Sequence, residues 1–212
     1  VNEAFAEFLG YLIGDGNIDP KTRLVAYTTG DRELADRYVT IINELFAIEP
    51  RLFWDARTIN GRGGRWRVAF YSANVLDLLA SLGIDLHAKA RRKRIPDCIL
   101  QSPKSVVSAF LRAYFDCDGC ASLTNGVILS TFSDEIARTL QVLLLNYGIL
   151  SRKHGPNVDI MGASAEVYER EINFRLTRKR EKLRAYVGNH RWFLKEKPFD
   201  VVVGIEHDVA DV

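Results

Sequence analysis

A chain of 212 residues, 47% of them hydrophobic, carries enough apolar side chains for one large core or two small ones. Its apolar runs fall well short of the roughly 20 residues that span a bilayer, the opening Val1-Asn2-Glu3 has no signal-peptide character, and three cysteines make no disulfide framework. A formal net charge of +2 favours no partner in bulk, so any preference lies in how the charges are distributed.

The first predicted helix is AFAEFLGYLIGDG, residues 4–16, apolar at helical spacing and ending in Asp15-Gly16. A hairpin follows over residues 17–29. Asp31 is placed to cap a helix over 33–46, because a short side-chain oxygen can accept a free first-turn amide. A second hairpin is expected over 52–71, turning at Asn60-Gly61, then a third helix over 73–82. Around Pro96 and Pro103 the chain reads as a linker. Residues 107–119, VSAFLRAYFDCDG, form the next helix and end in Asp118-Gly119. Asn125-Gly126 turns a hairpin between 121–123 and 127–132, a dipeptide suited to positive φ at both turn residues. Ser133 is placed to cap a helix over 135–147. Later strands are expected over 157–161 and 166–176, and a helix over 178–186.

The order repeats itself. Asp118-Gly119 answers Asp15-Gly16, and Ser133 answers Asp31. The expected fold is therefore α+β, with two pseudo-symmetric αββαββα halves. Its divisions are a first half at 1–88, a linker at 89–103, a second half at 104–190 and an extension at 191–212.

Small residues recur four apart in each Asp-Gly helix: Gly10 and Gly14 in one, Ala113 and Cys117 in the other. Glycine inside a helix costs roughly 1 kcal/mol against alanine, so two in one helix imply close packing on a neighbour. Packed side by side, the two helices would bring Asp15 and Asp118 together. Each carboxylate then meets the negative end of a helix dipole, a conflict that a hard divalent cation resolves. One Asp-Gly is an ordinary helix stop; two at matched places point to a shared site. Cys117, Cys120 and Cys98 fall short of the four ligands of a structural zinc site and read as small reduced cysteines of an intracellular chain.

F-L-G-Y-L-I-G-D-G and L-R-A-Y-F-D-C-D-G resemble the two motifs of the LAGLIDADG homing endonucleases, in their two-motif, single-chain form. The resemblance extends to Arg94-Ile95-Pro96-Asp97 and to L-L-L-N-Y-G-I at 143–149. Val203-Gly204-Ile205-Glu206 and Ala210-Asp211-Val212 are similar to the stretch before the last splicing block of inteins. That resemblance implies an endonuclease domain cut out of an intein, since Val1 is no splicing nucleophile and no terminal His-Asn is present. The chain departs from the motif at Ile13, where the sixth letter is Asp. The second half keeps Asp116, read as a local capping or packing residue.

The resemblance implies a β-saddle that binds double-stranded DNA and cuts both strands across the minor groove with Mg²⁺, for which Mn²⁺ is a substitute. Asp15 and Asp118 would be the metal carboxylates, and the carbonyls of Gly14 and Cys117 further ligands. Such hydrolysis needs a metal-activated water and a stabilised leaving oxygen. A lysine near the scissile phosphate would stabilise the transition state. Lys93 sits where some intein endonucleases carry an active-site lysine, while Lys89 matches Lys179 by pseudo-symmetry, so all three stand as candidates. His87, His154, His190 and His207 have neither nuclease nor metal-ligand spacing.

Arg65 and Arg67 alternate with Trp66 and Val68, which in a strand puts the arginines on one face and apolar groups on the other. A two-stranded ribbon fits the major groove, where arginine reads guanine edges. Arg57, Arg62, Arg65 and Arg67 are the first-half candidates for DNA contact, joined by Lys21 and Arg23 from the first hairpin. Arg152, Lys153 and Asn157 are those of the second half. The basic runs at 89–94 and 175–184 are either phosphate contacts or solvated faces. The expected partner is a long, roughly asymmetric duplex bound by a monomer. The alternative is a domain of the same fold that binds DNA without cutting.

Overall fold

The computed structural model describes residues 1–57, 63–88 and 90–189. The expected Asn60-Gly61 turn, Arg62, Lys89, His190, His207 and the extension at 191–212 lie outside the described residues.

Helix α1 (Glu3–Asp15) starts at Asn2, whose Oδ1 accepts the Phe5 amide at 2.9 Å. Strands β1 (Gly16–Asp19) and β2 (Leu24–Thr29) form a hairpin, α2 (Arg32–Phe46) follows, and β3 (Arg51–Asp55) and β4 (Arg65–Tyr71) complete a sheet of order β1-β2-β4-β3. Helix α3 (Ala73–Ser81) closes the first half, and a 3-10 turn at Ala90–Arg92 and the short α4 (Asp97–Leu100) lead onward. The second half repeats the plan with α5 (Lys104–Asp118), β5 (Gly119–Ser122), β6 (Gly126–Ser130), α6 (Asp134–Leu145), β7 (Arg152–His154), β8 (Asn157–Ile160) and α7 (Ala163–Glu171). Its sheet order, β5-β6-β8-β7, matches the first, and α8 (Thr177–Asn189) is added at the end. The chain is α+β, with two matching halves, each an antiparallel four-stranded sheet flanked by helices.

Alternation along the strands decides which face the helices cover. Val25 pairs with Phe70 and Tyr27 with Val68 across β2–β4, and all four are buried. Val127 with Ile160 and Leu129 with Val158 do the same across β6–β8. Between α1, α2 and the first sheet lies an aromatic cluster, with Tyr27 and Tyr38 centroids 4.7 Å apart and Phe8 stacked on Tyr38 at 5.6 Å. Among the described residues no helix is long and apolar enough to cross a membrane.

Three local expectations are corrected. The strand expected over 166–176 is instead α7 and a turn. Gly162, at φ +59°, ends β8, and the buried Ala165, Tyr168 and Ile172 recur at helical spacing. The second hairpin of this half is β7–β8, turned by Gly155-Pro156. At Asn125-Gly126 only Gly126 has positive φ, because the loop is one residue longer than a two-residue turn: Ser122 pairs with Gly126 and its Oγ accepts the amides of Thr124 and Asn125. Asp31 precedes α2 but makes no capping hydrogen bond; its carboxylate holds Arg178 at 2.8 and 2.9 Å. Ser133 does cap α6, accepting the Ile136 amide at 3.2 Å.

Candidate functional site

The two motif helices, α1 and α5, lie against each other along the pseudo-two-fold. A Cβ at Gly10 would stand 2.5 Å from the Phe110 carbonyl oxygen and 2.7 Å from Ala113 Cβ; one at Gly14 would stand 2.5 Å from Cys117 Cβ. Side chains at these two positions would push the helices apart, which accounts for glycines that helix propensity alone disfavours. Both helices end on an aspartate, and β1 and β5 begin at the next residue.

The two carboxylates sense each other. The Asp118 carboxyl is pushed up to about 6, first by burial and then by the charge of Asp15, while Tyr114, Lys93 and Lys179 pull it down. Two carboxylates at two negative helix ends form a site that favours a cation. Among the described residues no group of three or more His, Cys, Asp or Glu side chains could hold a metal. An ion here would therefore draw on the two carboxylates, backbone carbonyls and oxygens from water or a bound anion. That all-oxygen set fits a hard divalent ion such as Mg²⁺. It does not suit a thiophilic ion, since burial pushes the Cys117 thiol well up and keeps it protonated.

A lysine closes each motif helix. Lys93 Nζ donates to the Ile13 carbonyl at 2.7 Å and to that of Gly14 at 3.1 Å. Lys179 Nζ donates to the carbonyls of Phe115 at 3.3 Å, of Gly119 at 2.6 Å and of Asp116. A cation on the last carbonyls offsets the negative end of the helix. Lys179 is only 7% exposed, and Lys93 is half-buried. Burial lowers the pKa of both against the pull of nearby aspartates, Asp116 at Lys179 and Asp118 and Asp15 at Lys93. The Gly14 carbonyl, a candidate metal ligand, thus already has one lone pair engaged by Lys93.

Asp116 is 3% exposed, and its carboxylate accepts the amides of Arg175 and Leu176, each at 3.1 Å. It ties the segment entering α8 to α5, a packing contact between segments far apart in the chain rather than a local cap, and burial pushes its carboxyl up to about 6. Sequence reading missed what joins the halves beside it. Arg175 and Arg37 both pair with the buried Glu7 of α1, at 2.6 and 2.7 Å. A glutamate inside an otherwise apolar helix stretch was the available signal, since a buried charge requires a partner.

The faces of the two sheets away from the helices carry charged and polar side chains among a few exposed apolar and aromatic ones. In the first, Arg65 and Arg67 lie on this face as the alternation requires, because Val68 and Phe70 face the core. Asp55, opposite Arg65 in β3, holds Arg57 through two bonds of 2.8 Å and has Arg65 at 3.6 Å. Lys21 and Arg23 are exposed in the β1–β2 turn. In the second sheet Arg152 is opposite Asp159 and shares the open face with His154 and with Asn157, whose Oδ1 accepts Ser130 Oγ at 2.6 Å. Lys153 is opposite the buried Val158 and so points to the helix side, where its ammonium lies 3.0 Å from Asp134 of α6. The register adds Asn17, Arg51, Phe53, Tyr71 and His154 to the open faces. Period-two reading of every strand, not only β4, would have found them.

Comparison with known proteins agrees with the two-half architecture. A family model described as a LAGLIDADG-like domain matches the chain twice, over residues 2–83 and 105–187. A replication factor C small subunit of Methanocaldococcus jannaschii is 36% identical over 154 residues, covering 71% of this chain but 8% of that protein. An A-type ATP synthase subunit of Pyrococcus abyssi is 36% identical over 150 residues, covering 70% of this chain and 14% of that protein. The chain thus spans only a small part of the curated relatives it matches. The fold is similar to that of I-DmoI in its crystal structure with DNA and Mn, at a TM-score of 0.58 and 15% identity, covering 80% of this chain and 96% of that one.

Proposed function

The chain belongs to the family of LAGLIDADG-like domains and carries two of them, and from that premise we propose that it is a homing endonuclease. It hydrolyses both strands of a specific DNA duplex, and it does so as a monomer, because one chain supplies both motif helices. The observation that carries this reading is the convergence of Asp15 and Asp118 at the ends of two helices packed through glycine. Stability alone gives no reason to place two carboxylates there.

The open faces of the two sheets would lie along the duplex, with Arg57, Arg65 and Arg67 in one half and Arg152 and Asn157 in the other reaching into the major groove. Asp15 and Asp118, with the carbonyls of Gly14 and Cys117, would hold Mg²⁺ or, as a substitute, Mn²⁺. The ion, when bound, supplies an activated water and stabilises the leaving oxygen. Lys93 and Lys179 keep the ends of the two helices electrostatically tolerable and fix the backbone on which the aspartates stand. A related fold has been solved with DNA and Mn, which supports the choice of partner and ion.

The relatives in replication factor C and ATP synthase share a stretch that is a small fraction of two otherwise different proteins. An element inserted in unrelated hosts explains that pattern, so the domain is proposed to come from an intein, working inside the cell on the uninterrupted copy of the host gene. The test is a plasmid carrying the joined host sequence, incubated with the protein and Mg²⁺. The expected result is one double-strand cut at the junction. Tight binding with no cut in either Mg²⁺ or Mn²⁺ would instead mark a domain that binds DNA without cutting it.

A further inference from the structure

The residues before α2 and α6 occupy equivalent places in the two halves, and each is spent on the opposite half. Ser133 Oγ caps α6 by accepting the Ile136 amide and donates its proton to the Lys93 carbonyl at 2.7 Å. Lys93 in turn sends its ammonium to the last carbonyls of α1, in the first half. Asp31, at the start of α2, holds the guanidinium of Arg178 through two bonds. The next residue, Lys179, closes α5 in the second half. Thr177 adds two bonds to Glu33 of α2, at 2.9 and 3.2 Å.

We propose that Ser133 and Asp31 are reciprocal positioning residues: each anchors the lysine-bearing segment that closes the motif helix of the other half, so that neither aspartate is correctly placed unless both halves are docked. Ser133 carries this furthest. It is 1% exposed, and its one proton goes to the Lys93 carbonyl while one of its two lone pairs accepts the Ile136 amide, so the same buried hydroxyl serves both α6 and the Lys93 segment. A misplacement of about 1 Å remote from the chemistry can slow an enzyme about a hundredfold. The contact therefore bears on the catalytic role proposed for Asp15, and for its functional consequence it rests on the endonuclease reading.

The test separates cap from anchor. Ser133→Gly removes the hydroxyl at a position where glycine is itself an acceptable N-cap, and Ser133→Thr returns the hydroxyl. Lysine reactivity toward an N-hydroxysuccinimide ester is followed by mass spectrometry at Lys93, Lys179 and the exposed Lys21. In Ser133→Gly, Lys93 labelling should rise at least about threefold, because local opening exposes it, while Lys179 and Lys21 stay as in the parent. Ser133→Thr should restore the parental rate at Lys93. Asp31→Ala should give the mirror pattern, raising Lys179 and sparing Lys93. No change at Lys93 in Ser133→Gly, or an equal rise at all three lysines, would overturn the proposal, whether or not the parent cuts DNA. With a parent that cuts, Ser133→Gly should lower kcat at least about tenfold with little change in DNA affinity. Cutting at the parental rate would overturn it as well.

Discussion

Gly14 and Cys117 meet across the α1–α5 contact so closely that a methyl on Gly14 would lie 2.5 Å from Cys117 Cβ and 2.8 Å from its Sγ. At Gly10 the obstacle is the Phe110 carbonyl oxygen, which cannot rotate aside. Alanine improves helix propensity by about 1 kcal/mol, yet overpacking of this kind costs about 1–3 kcal/mol and occasionally more. Gly10→Ala should therefore destabilise the chain in urea denaturation. Gly14→Ala should do so less when combined with Cys117→Gly. A stabilised Gly10→Ala would mean that the helices are not in close contact.

Stability should fall as pH rises through the weakly acidic range. The carboxyls of Asp118 and Asp116 are pushed up to about 6 in the folded chain, from an ordinary value of 3.8. Between those values the folded state retains protons that the unfolded chain releases, so their favourable contribution is complete below the lower value and lost above the higher. Asp118→Asn removes one of the two groups. At pH 7.5 it should be more stable than the parent by at most about 3 kcal/mol, and the difference should vanish near pH 4. Thermal melts of both proteins across this range check it; a gap that widens on acidification would contradict the sign.

Millimolar Mg²⁺ should raise the Tm of the parent at pH 7.5 in the absence of DNA, since an ion that binds only the folded state stabilises it by mass action. Asp118→Asn, with one carboxylate removed, should respond far less. Equal responses would place the ion elsewhere.

In DNA binding, Arg67 and Lys153 should behave differently despite their like charge. Arg67→Ala should relax base preference at a few positions of the target, each worth about 1–3 kcal/mol of discrimination. Lys153→Ala should leave specificity nearly intact, because its ammonium is 3.0 Å from Asp134 on the other side of the sheet. Binding to a panel of singly substituted targets decides; unchanged specificity in Arg67→Ala would remove β4 from the recognition surface.

What the sequence made legible was whatever repeats or alternates. The Asp-Gly helices, the glycines at 10 and 14 and the alternation around Arg65 and Arg67 all follow from periodicity, and the structure places them accordingly. The segment after residue 161 reads as a strand because Ile172, Phe174 and Leu176 alternate with Asn173 and Arg175. Only Gly162 in the left-handed region and the burial of Tyr168 and Ile172 settle it as a helix. The clamps on Glu7, Asp31 and Asp116 were illegible for a different reason. Their partners Arg175, Leu176 and Arg178 lie far away in the chain, and no local pattern pairs residues across such distances. Lysine spacing likewise suggested Lys89 as the mate of Lys179, whereas among the described residues Lys93 is the side chain that closes α1 as Lys179 closes α5.

The decisive measurement separates binding from cutting. Asp15 and Asp118 are negative charges that would face negative phosphates, repelling DNA without metal and holding the ion that drives hydrolysis with it. Asp118→Asn keeps the shape and removes one charge. A gel shift and a plasmid-cutting assay are run on the parent, Asp15→Asn and Asp118→Asn with the joined host sequence in Mg²⁺. The expected outcome is that both variants lose cleavage while their affinity for the target holds or tightens. Cleavage by Asp118→Asn at near the parental rate would contradict the assignment of the two aspartates as the metal-binding centre.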